Sequence, residues 1–278
     1  YTIKQTALRF WMNDLWHNDA DALMIRRRSH KYRDLDLSLG LLTDDEAIVS
    51  TLNQYICGGI VCFSEPMREI EKDRAGLLRH IIPSIGKSAI PRDMFSNNRY
   101  PCIYDVPVTS KSGLGKWHTV AIINWLDLPV EKDFTLDEST LGEFAKMHKR
   151  FIVSEFWTGK IWTDVKCGDK IELGEVSPHS ARLLRVTPQK DDEPLLIYSN
   201  GHFSMGATEV HSWEYKENKL RIGIEWPWDY PVEFIVQGAK GKPWASGNGL
   251  YKLDPKNKER AIIQLPGKFR GTVELLEA

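Results

Sequence analysis

The stretch His17-Asn18-Asp19-Ala20-Asp21-Ala22-Leu23-Met24-Ile25-Arg26 decides how the first third of the chain folds. A polar cluster, His17 to Asp21, runs directly into Ala22 to Ile25, which has the length and content of a short buried strand. Upstream, Leu8, Trp11, Met12 and Leu15 recur at spacings of three and four, so Tyr1 to Trp16 is expected as an amphipathic helix. Downstream, Thr43-Asp44-Asp45-Glu46 is a capping box. It opens a helix through Ile48, Leu52, Tyr55 and Ile56 that Gly58-Gly59 should stop. Ile60 to Phe63 reads as a second buried strand. Ser64-Glu65-Pro66 then leads into a helix from Met67 to Ile82, closed by Pro83. Helices and strands alternating through short connections have the grammar of βα units.

Near Pro91 the texture changes. Trp117 to Asn124, Lys149 to Phe156, Lys170 to Leu173 and Ala181 to Val186 are short runs separated by Gly, Pro, Asn and Asp, as in antiparallel β structure. Lys190-Asp191-Asp192-Glu193 looks like a charged linker. Six further strands are expected at Leu195 to Tyr198, Ser212 to Tyr215, Leu220 to Glu225, Val232 to Val236, Ala261 to Leu265 and Gly271 to Leu276. After about Phe95 the only helical signal is a turn around Thr140 to Lys146. The fold class is therefore α/β plus all-β, an α/β portion followed by antiparallel sandwich-like modules.

The 278 residues hold 37 basic and 38 acidic side chains, a formal net charge of -1. Such a balance supplies no long-range field for nucleic acid or an anionic membrane, so neither is expected as a partner. Arg26-Arg27-Arg28-Ser29-His30-Lys31-Tyr32-Arg33 is followed by Asp34 and Asp36, and is expected as a solvated loop with Arg26 at the strand end as its one inward candidate. At 42% hydrophobic and 27% charged, the chain can bury a core, and it has no apolar run of about 20 residues to span a bilayer. The four cysteines, Cys57, Cys62, Cys102 and Cys167, lack metal or redox spacing and are expected as buried free thiols. His118, His148, His179, His202 and His211 are equally scattered, and His202 reads as a turn residue. No nucleophile elbow, phosphate-binding loop or dinucleotide glycine pattern occurs. No metal and no organic cofactor is implied.

Two carboxylates one residue apart, Asp19 and Asp21, could hold a divalent ion or accept hydrogen bonds from sugar hydroxyls. Taken alone, an Asn-Asp cluster ahead of a strand is more often a plain turn. Ten tryptophans are an unusual count. Trp125, Trp157, Trp162, Trp213, Trp226, Trp228 and Trp244 could stack on sugar rings or fill β cores. Trp226-Pro227-Trp228 is the pair expected at the surface.

Phe10-Trp11 through Trp16-His17-Asn18-Asp19-Ala20-Asp21-Ala22-Leu23-Met24-Ile25-Arg26 resembles the W-x-N-D-P-D-x-L-x-x-R segment of clan-D glycoside hydrolases, families 27 and 36. These are the α-galactosidases and α-N-acetylgalactosaminidases. Ala20 stands where that segment has Pro. Gly58 to Pro66 looks like their last barrel strand, and Ala121-Ile122-Ile123-Asn124-Trp125-Leu126-Asp127 resembles the opening F-N-W-S-D strand of their C-terminal β domain. Phe156-Trp157-Thr158-Gly159 and Ser177-Pro178-His179-Ser180-Ala181-Arg182 are similar to its D-L-W-T-G and P-P-H-G features.

The resemblance implies the last βα units of a (β/α)8 TIM barrel over residues 1–97, a C-terminal antiparallel β-sandwich over 98–188 and an additional β module over 189–278. It implies hydrolysis of terminal α-linked galactosyl or related residues with retention, by two Asp residues that match nothing in this chain. Asp21 matches the site-lining Asp of the motif, with Asp19, Leu23 and Arg26 as companion substrate-binding candidates. The expected partners are a carbohydrate substrate and the remainder of the barrel or another chain. Because the sequence starts at Tyr1 inside a helical pattern with no N-cap residue before it, the chain is expected to be the C-terminal piece of a longer protein. Its compartment is not legible from that end. The alternative is a non-catalytic carbohydrate-binding β module.

Overall fold

The computed structural model describes residues 2–27, 42–65, 67–96, 98–245 and 249–278. Most of the basic run, residues 28–33, lies outside them. Among the described residues β structure dominates and helices are few; one strand pair is parallel, and antiparallel pairing recurs through the later strands. The chain divides into two compact units. One holds residues 1–106, 121–134 and 170–182, the other residues 107–120, 135–169 and 183–278.

In the first unit, the expected N-terminal helix is α1 (Thr2–Leu8) followed by a 3-10 turn (Phe10–Asp14). The break has a cause. Asn18 Nδ2 donates to the Arg9 carbonyl at 3.0 Å, and the Asn18 N–H donates to Asn13 Oδ1 at 3.0 Å, diverting groups that an α-helix would use. Strand β1 (Asp19–Leu23) starts three residues earlier than expected, taking in the polar cluster. The capping box forms as read. Thr43 accepts from the Glu46 N–H, Glu46 accepts from the Thr43 N–H, and α2 (Asp44–Cys57) runs to a left-handed Gly58. Its inner side, including Ala47, Leu52 and Ile56, is buried with Ala20, Leu23 and Ile25 of the β1 region.

Strand β2 (Ile60–Phe63) pairs with β1 in parallel, and the intervening helix makes this a βαβ unit. The expectation of a buried β2 fails: Ile60 is 52% exposed and Cys62 is exposed, because nothing described covers that side of the pair. The helix expected over Met67 to Ile82 is broken into a 3-10 turn (Met67–Glu69), α3 (Lys72–Ala75) and a second 3-10 turn (Gly76–His80). Gly76 sits where the helix would have to continue, at a cost of about 1 kcal/mol relative to alanine. Two strands do not make a barrel, and no barrel is evident among the described residues.

Strands β3 (Ile90–Pro91), β4 (Ile103–Thr109) and β5 (Lys116–Ile123) follow, with β3 and β4 antiparallel. Next come β6 (Val130–Thr135) and the short helices α4 (Glu138–Leu141) and α5 (Phe144–Met147), close to the expected helical turn. Then come β7 (Phe151–Glu155), β8 (Ile161–Val165), β9 (Lys170–Val176) and β10 (Ala181–Pro188). β7 pairs antiparallel with both β8 and β10, and β6 pairs with β9.

The second unit ends in a sandwich. One sheet has the order β11 (Leu195–Ser199), β14 (Val232–Gln237), β16 (Asn257–Leu265), β15 (Tyr251–Asp254). The other runs β12 (Val210–Lys216), β13 (Lys219–Trp226), β17 (Phe269–Leu276). Period-two patterning builds their shared core: Leu220, Ile222, Ile224 and Trp226 from β13, Ala261, Ile263 and Leu265 from β16, Val273 and Leu275 from β17. Trp226 is thus 2% exposed rather than on the surface, and its Nε1–H donates to the Tyr230 carbonyl at 2.6 Å. Trp228 is half-buried against the same core. Lys190 to Glu193 joins β10 to β11 and is tied down, with Asp191 accepting from Arg150 at 2.6 Å.

The connection from β11 to β12 is buried. Glu209, 1% exposed, accepts from Ser199 Oγ and the His202 N–H, both at 2.8 Å, and from the Gly206 N–H at 3.2 Å. His202 is a turn residue as read, though fully buried, with Nδ1 2.8 Å from Ser204 Oγ. Arg185 lies 4.1 Å above the Trp117 ring and donates to Thr187 Oγ1 and the Met205 carbonyl. Burial lowers the Arg185 pKa to about 9, against the pull of the Glu209 charge.

Candidate functional site

The site grows from an irregularity in β1. Asp19 pairs with Ile60 and Ala22 with Cys62, so three steps along β1 oppose two along β2, leaving one extra residue. The bulge contains Asp21, whose φ of 68° is left-handed. Aspartate tolerates that region better than most residues, but inside a strand it is uncommon. The strain is held by side chains. Asp19 Oδ1 accepts from the Asp21 N–H at 2.8 Å, Asp21 Oδ1 accepts from the Ala22 N–H at 2.7 Å, and Gln54 Nε2 donates to the Asp21 carbonyl at 2.9 Å. These contacts are the turn chemistry read from the Asp cluster. Each carboxylate spends Oδ1 on turn-like backbone contacts, and among the described residues neither Oδ2 accepts a hydrogen bond.

Asp19 and Asp21 are exposed, and both line a cleft of about 540 Å³ together with Gln5, Arg9, Trp16 and His17. Cys57 lies in its wall. Burial first, and then the charge of Asp19, push the Cys57 thiol up to about 11, so it stays protonated at neutral pH and is no nucleophile. Of the four free cysteines only Cys57 is buried; Cys62 and Cys167 are exposed and Cys102 is half-buried. No group of three metal-ligating side chains occurs among the described residues.

The glycines after α2 let the cleft wall close. A Cβ on Gly59 would lie 1.9 Å from the Asn18 carbonyl oxygen, and one on Gly58 would lie 2.1 Å from that of Lys87. Only backbone fits there, and it brings the Ile60 N–H to 2.8 Å from the Asn18 carbonyl.

Leu23 and Arg26 are placed elsewhere. Leu23 is 1% exposed and belongs to the core under β1, while Arg26 sits beyond the C-terminal end of the strand. There Glu65, whose side chain is 1% exposed, accepts from the N–H groups of Ile25 and Arg26 at 2.9 and 3.1 Å, and lies 3.7 Å from Arg26 Nε. Arg74, buried, donates to the Ile25 carbonyl at 2.9 Å and to Asp44 at 2.6 Å. Arg27 reaches Asp44 and Asp73 at 2.8 and 2.6 Å. The structure thus brings Asp19 and Asp21 together in one cleft and holds Arg26 in a separate charged network at the strand ends.

Sequence reasoning did not nominate Gln5, Arg9 or Glu65, and it placed Trp16 and His17 in the motif segment without giving either a role. Only Glu65 carried a usable signal, a lone carboxylate directly after an apolar strand. Elsewhere, Asn124 is buried and donates to the carbonyls of Leu128, Val176 and Ser177, so it locks loops together. Trp125 donates to the Pro101 carbonyl at 2.7 Å, and His179 Nε2 lies 2.8 Å from Asp127. Trp244, like Trp226, is a core residue, whereas Trp157, Trp162 and Trp213 are half-buried.

No helix among the described residues is long and apolar enough to cross a membrane. No protein-family model and no curated protein sequence matches the chain. Among solved structures, the chain is similar to an α-galactosidase from Saccharomyces cerevisiae, with 13% identity over 65% of this chain and 50% of that one, and a TM-score of 0.46. The yeast enzyme has also been solved with raffinose. A putative α-N-acetylgalactosaminidase from Bacillus halodurans gives 17% identity over 68% of this chain and 43% of that one, with a TM-score of 0.46. A family 27 β-L-arabinopyranosidase from Geobacillus stearothermophilus, with arabinose, gives 14% identity over 68% and 42%, with a TM-score of 0.48. The chain spans half or less of these proteins, and over about two thirds of its own length it is structurally similar to α-galactosidase-type glycoside hydrolases.

Proposed function

We propose that the chain is the C-terminal part of a retaining α-galactosidase-like glycoside hydrolase, with the β1–α2–β2 unit contributing to a barrel whose other strands carry the nucleophile and the acid/base. In that reading Asp21 and Asp19 hold sugar hydroxyls, while Leu23 and Arg26 shape the strand end. The observation that carries it is the left-handed bulge at Asp21, which presents two carboxylates, each with an uncommitted Oδ2, to one cleft. Backbone strain kept inside a strand, where a regular residue would be cheaper, is a mark of a working position. A carboxylate is a strong acceptor for hydroxyl groups, and each such bond contributes roughly 1.5–3 kcal/mol in a dry site.

The test is binding and turnover of α-galactosides by the intact protein. Asp21→Asn keeps the left-handed conformation, which asparagine also accepts, and removes the charge. kcat/KM should fall about ten- to a hundredfold with the fold intact. An unchanged kcat/KM alongside a lowered melting temperature would leave Asp21 a turn former and end this assignment.

A further inference from the structure

Trp16 is 56% exposed, a large aromatic surface left open on the wall of the cleft that Asp19 and Asp21 line. An open indole beside paired hydrogen-bond acceptors suits an occupant with both an apolar face and a polar edge. A sugar ring in its cyclic form has both. One face carries C–H groups that lie flat on an aromatic plane, and the rim carries hydroxyls that donate to carboxylates. The cleft, at about 540 Å³, falls in the range of small-ligand pockets. Its other walls suit a neutral ligand. Arg9 and His17 stand with Gln5 among the two carboxylates, so the lining is mixed in charge rather than uniformly anionic.

We infer that Trp16 is the stacking platform of this cleft and sets its preference for a cyclic sugar over an open-chain polyol. The inference rests on the sugar-binding reading above and adds a residue to it. Asp19 and Asp21 read hydroxyls, which a linear polyol also offers; only Trp16 reads the ring. The division of labour is therefore separable by experiment.

The 278-residue chain is titrated with methyl α-galactoside and, in parallel, with galactitol, following indole and methyl signals by NMR, for the unaltered chain and for Trp16→Ala, Trp16→Phe and Asp21→Asn. Thermal melts of all four are recorded. The unaltered chain should bind the galactoside about two- to tenfold more tightly than galactitol, the scale of one aromatic contact. Trp16→Ala should abolish that preference without moving the melting temperature, and Trp16→Phe should keep most of it. Asp21→Asn should weaken both ligands and leave their ratio alone. If Trp16→Ala binds both ligands as the unaltered chain does while Asp21→Asn weakens them, the stacking role is overturned and the carboxylate site survives. If the unaltered chain binds neither ligand, the platform role is overturned, while the sugar reading is decided separately by turnover in the intact protein.

Discussion

At the scale of single residues, the site depends on two that tolerate what others cannot. Gly59 allows the chain leaving α2 to pass directly beneath the Asn18 carbonyl, with 1.9 Å separating that oxygen from where a methyl would be. Backbone cannot yield as a flexible side chain can, so Gly59→Ala should cost about 3 kcal/mol or more, the upper range for overpacking. The midpoint of urea denaturation measures it; a loss under 1 kcal/mol would mean that β1 and β2 can separate freely. Asp21 is the second such residue. Its left-handed conformation left no trace in the sequence, since Asp-x-Asp is compatible with a regular strand, a turn or a bulge. The capping residues Thr43 and Glu46, by contrast, were legible because both partners of the reciprocal bond lie within four residues of each other.

At the scale of elements, alternation was the most legible signal and competition for backbone groups the least. The even-numbered positions Leu220 to Trp226 predict the inner face of β13, and the same alternation places Trp226 in the core; the adjacent Pro227 suggested a surface loop only because the period was not carried one step further. The splitting of the N-terminal helix was invisible, because it depends on Asn18 reaching back nine residues to the Arg9 carbonyl. The β11–β12 connection supplies a prediction of its own. Glu209→Gln would remove the buried carboxylate charge and weaken at least three hydrogen bonds, so unfolding free energy should drop by roughly 1.5–3 kcal/mol, the scale of hydrogen bonding to a charged group. A change within 0.5 kcal/mol would show the loop to be held by packing alone. Acid should act on a different element. His148 stands edge-on to Phe144 of α5 and to Phe151 of β7, and burial, then Lys190, hold its pKa below the ordinary value. The unfolded chain therefore takes up the proton more readily than the folded one. Stability contributed by neutral His148 is complete above about pH 6.5 and is lost as pH falls through and below that value. Melting curves from pH 7.5 to 5 should show a shallower acid decline for His148→Gln than for the unaltered chain; parallel declines would remove His148 from the acid response.

At the scale of the whole molecule, the β1–β2 pair leaves apolar surface open. Parallel strands are ordinarily covered on both faces, yet Ile60 is 52% and Trp11 49% exposed. The 278-residue chain should accordingly bind an apolar dye such as ANS in its native state and should not sustain turnover of a chromogenic α-galactoside; steady hydrolysis would mean that the acid and nucleophile lie within it. The buried β11–β12 connection has the opposite consequence. Loops are where amide protons normally trade with solvent within minutes, because water reaches them without any opening. Here the N–H groups of His202, Ser204 and Gly206 point at Glu209 and the His202 ring inside the second unit. Their deuterium uptake will follow global unfolding, so the most protected amides of this protein will include a turn that carries no strand or helix at all.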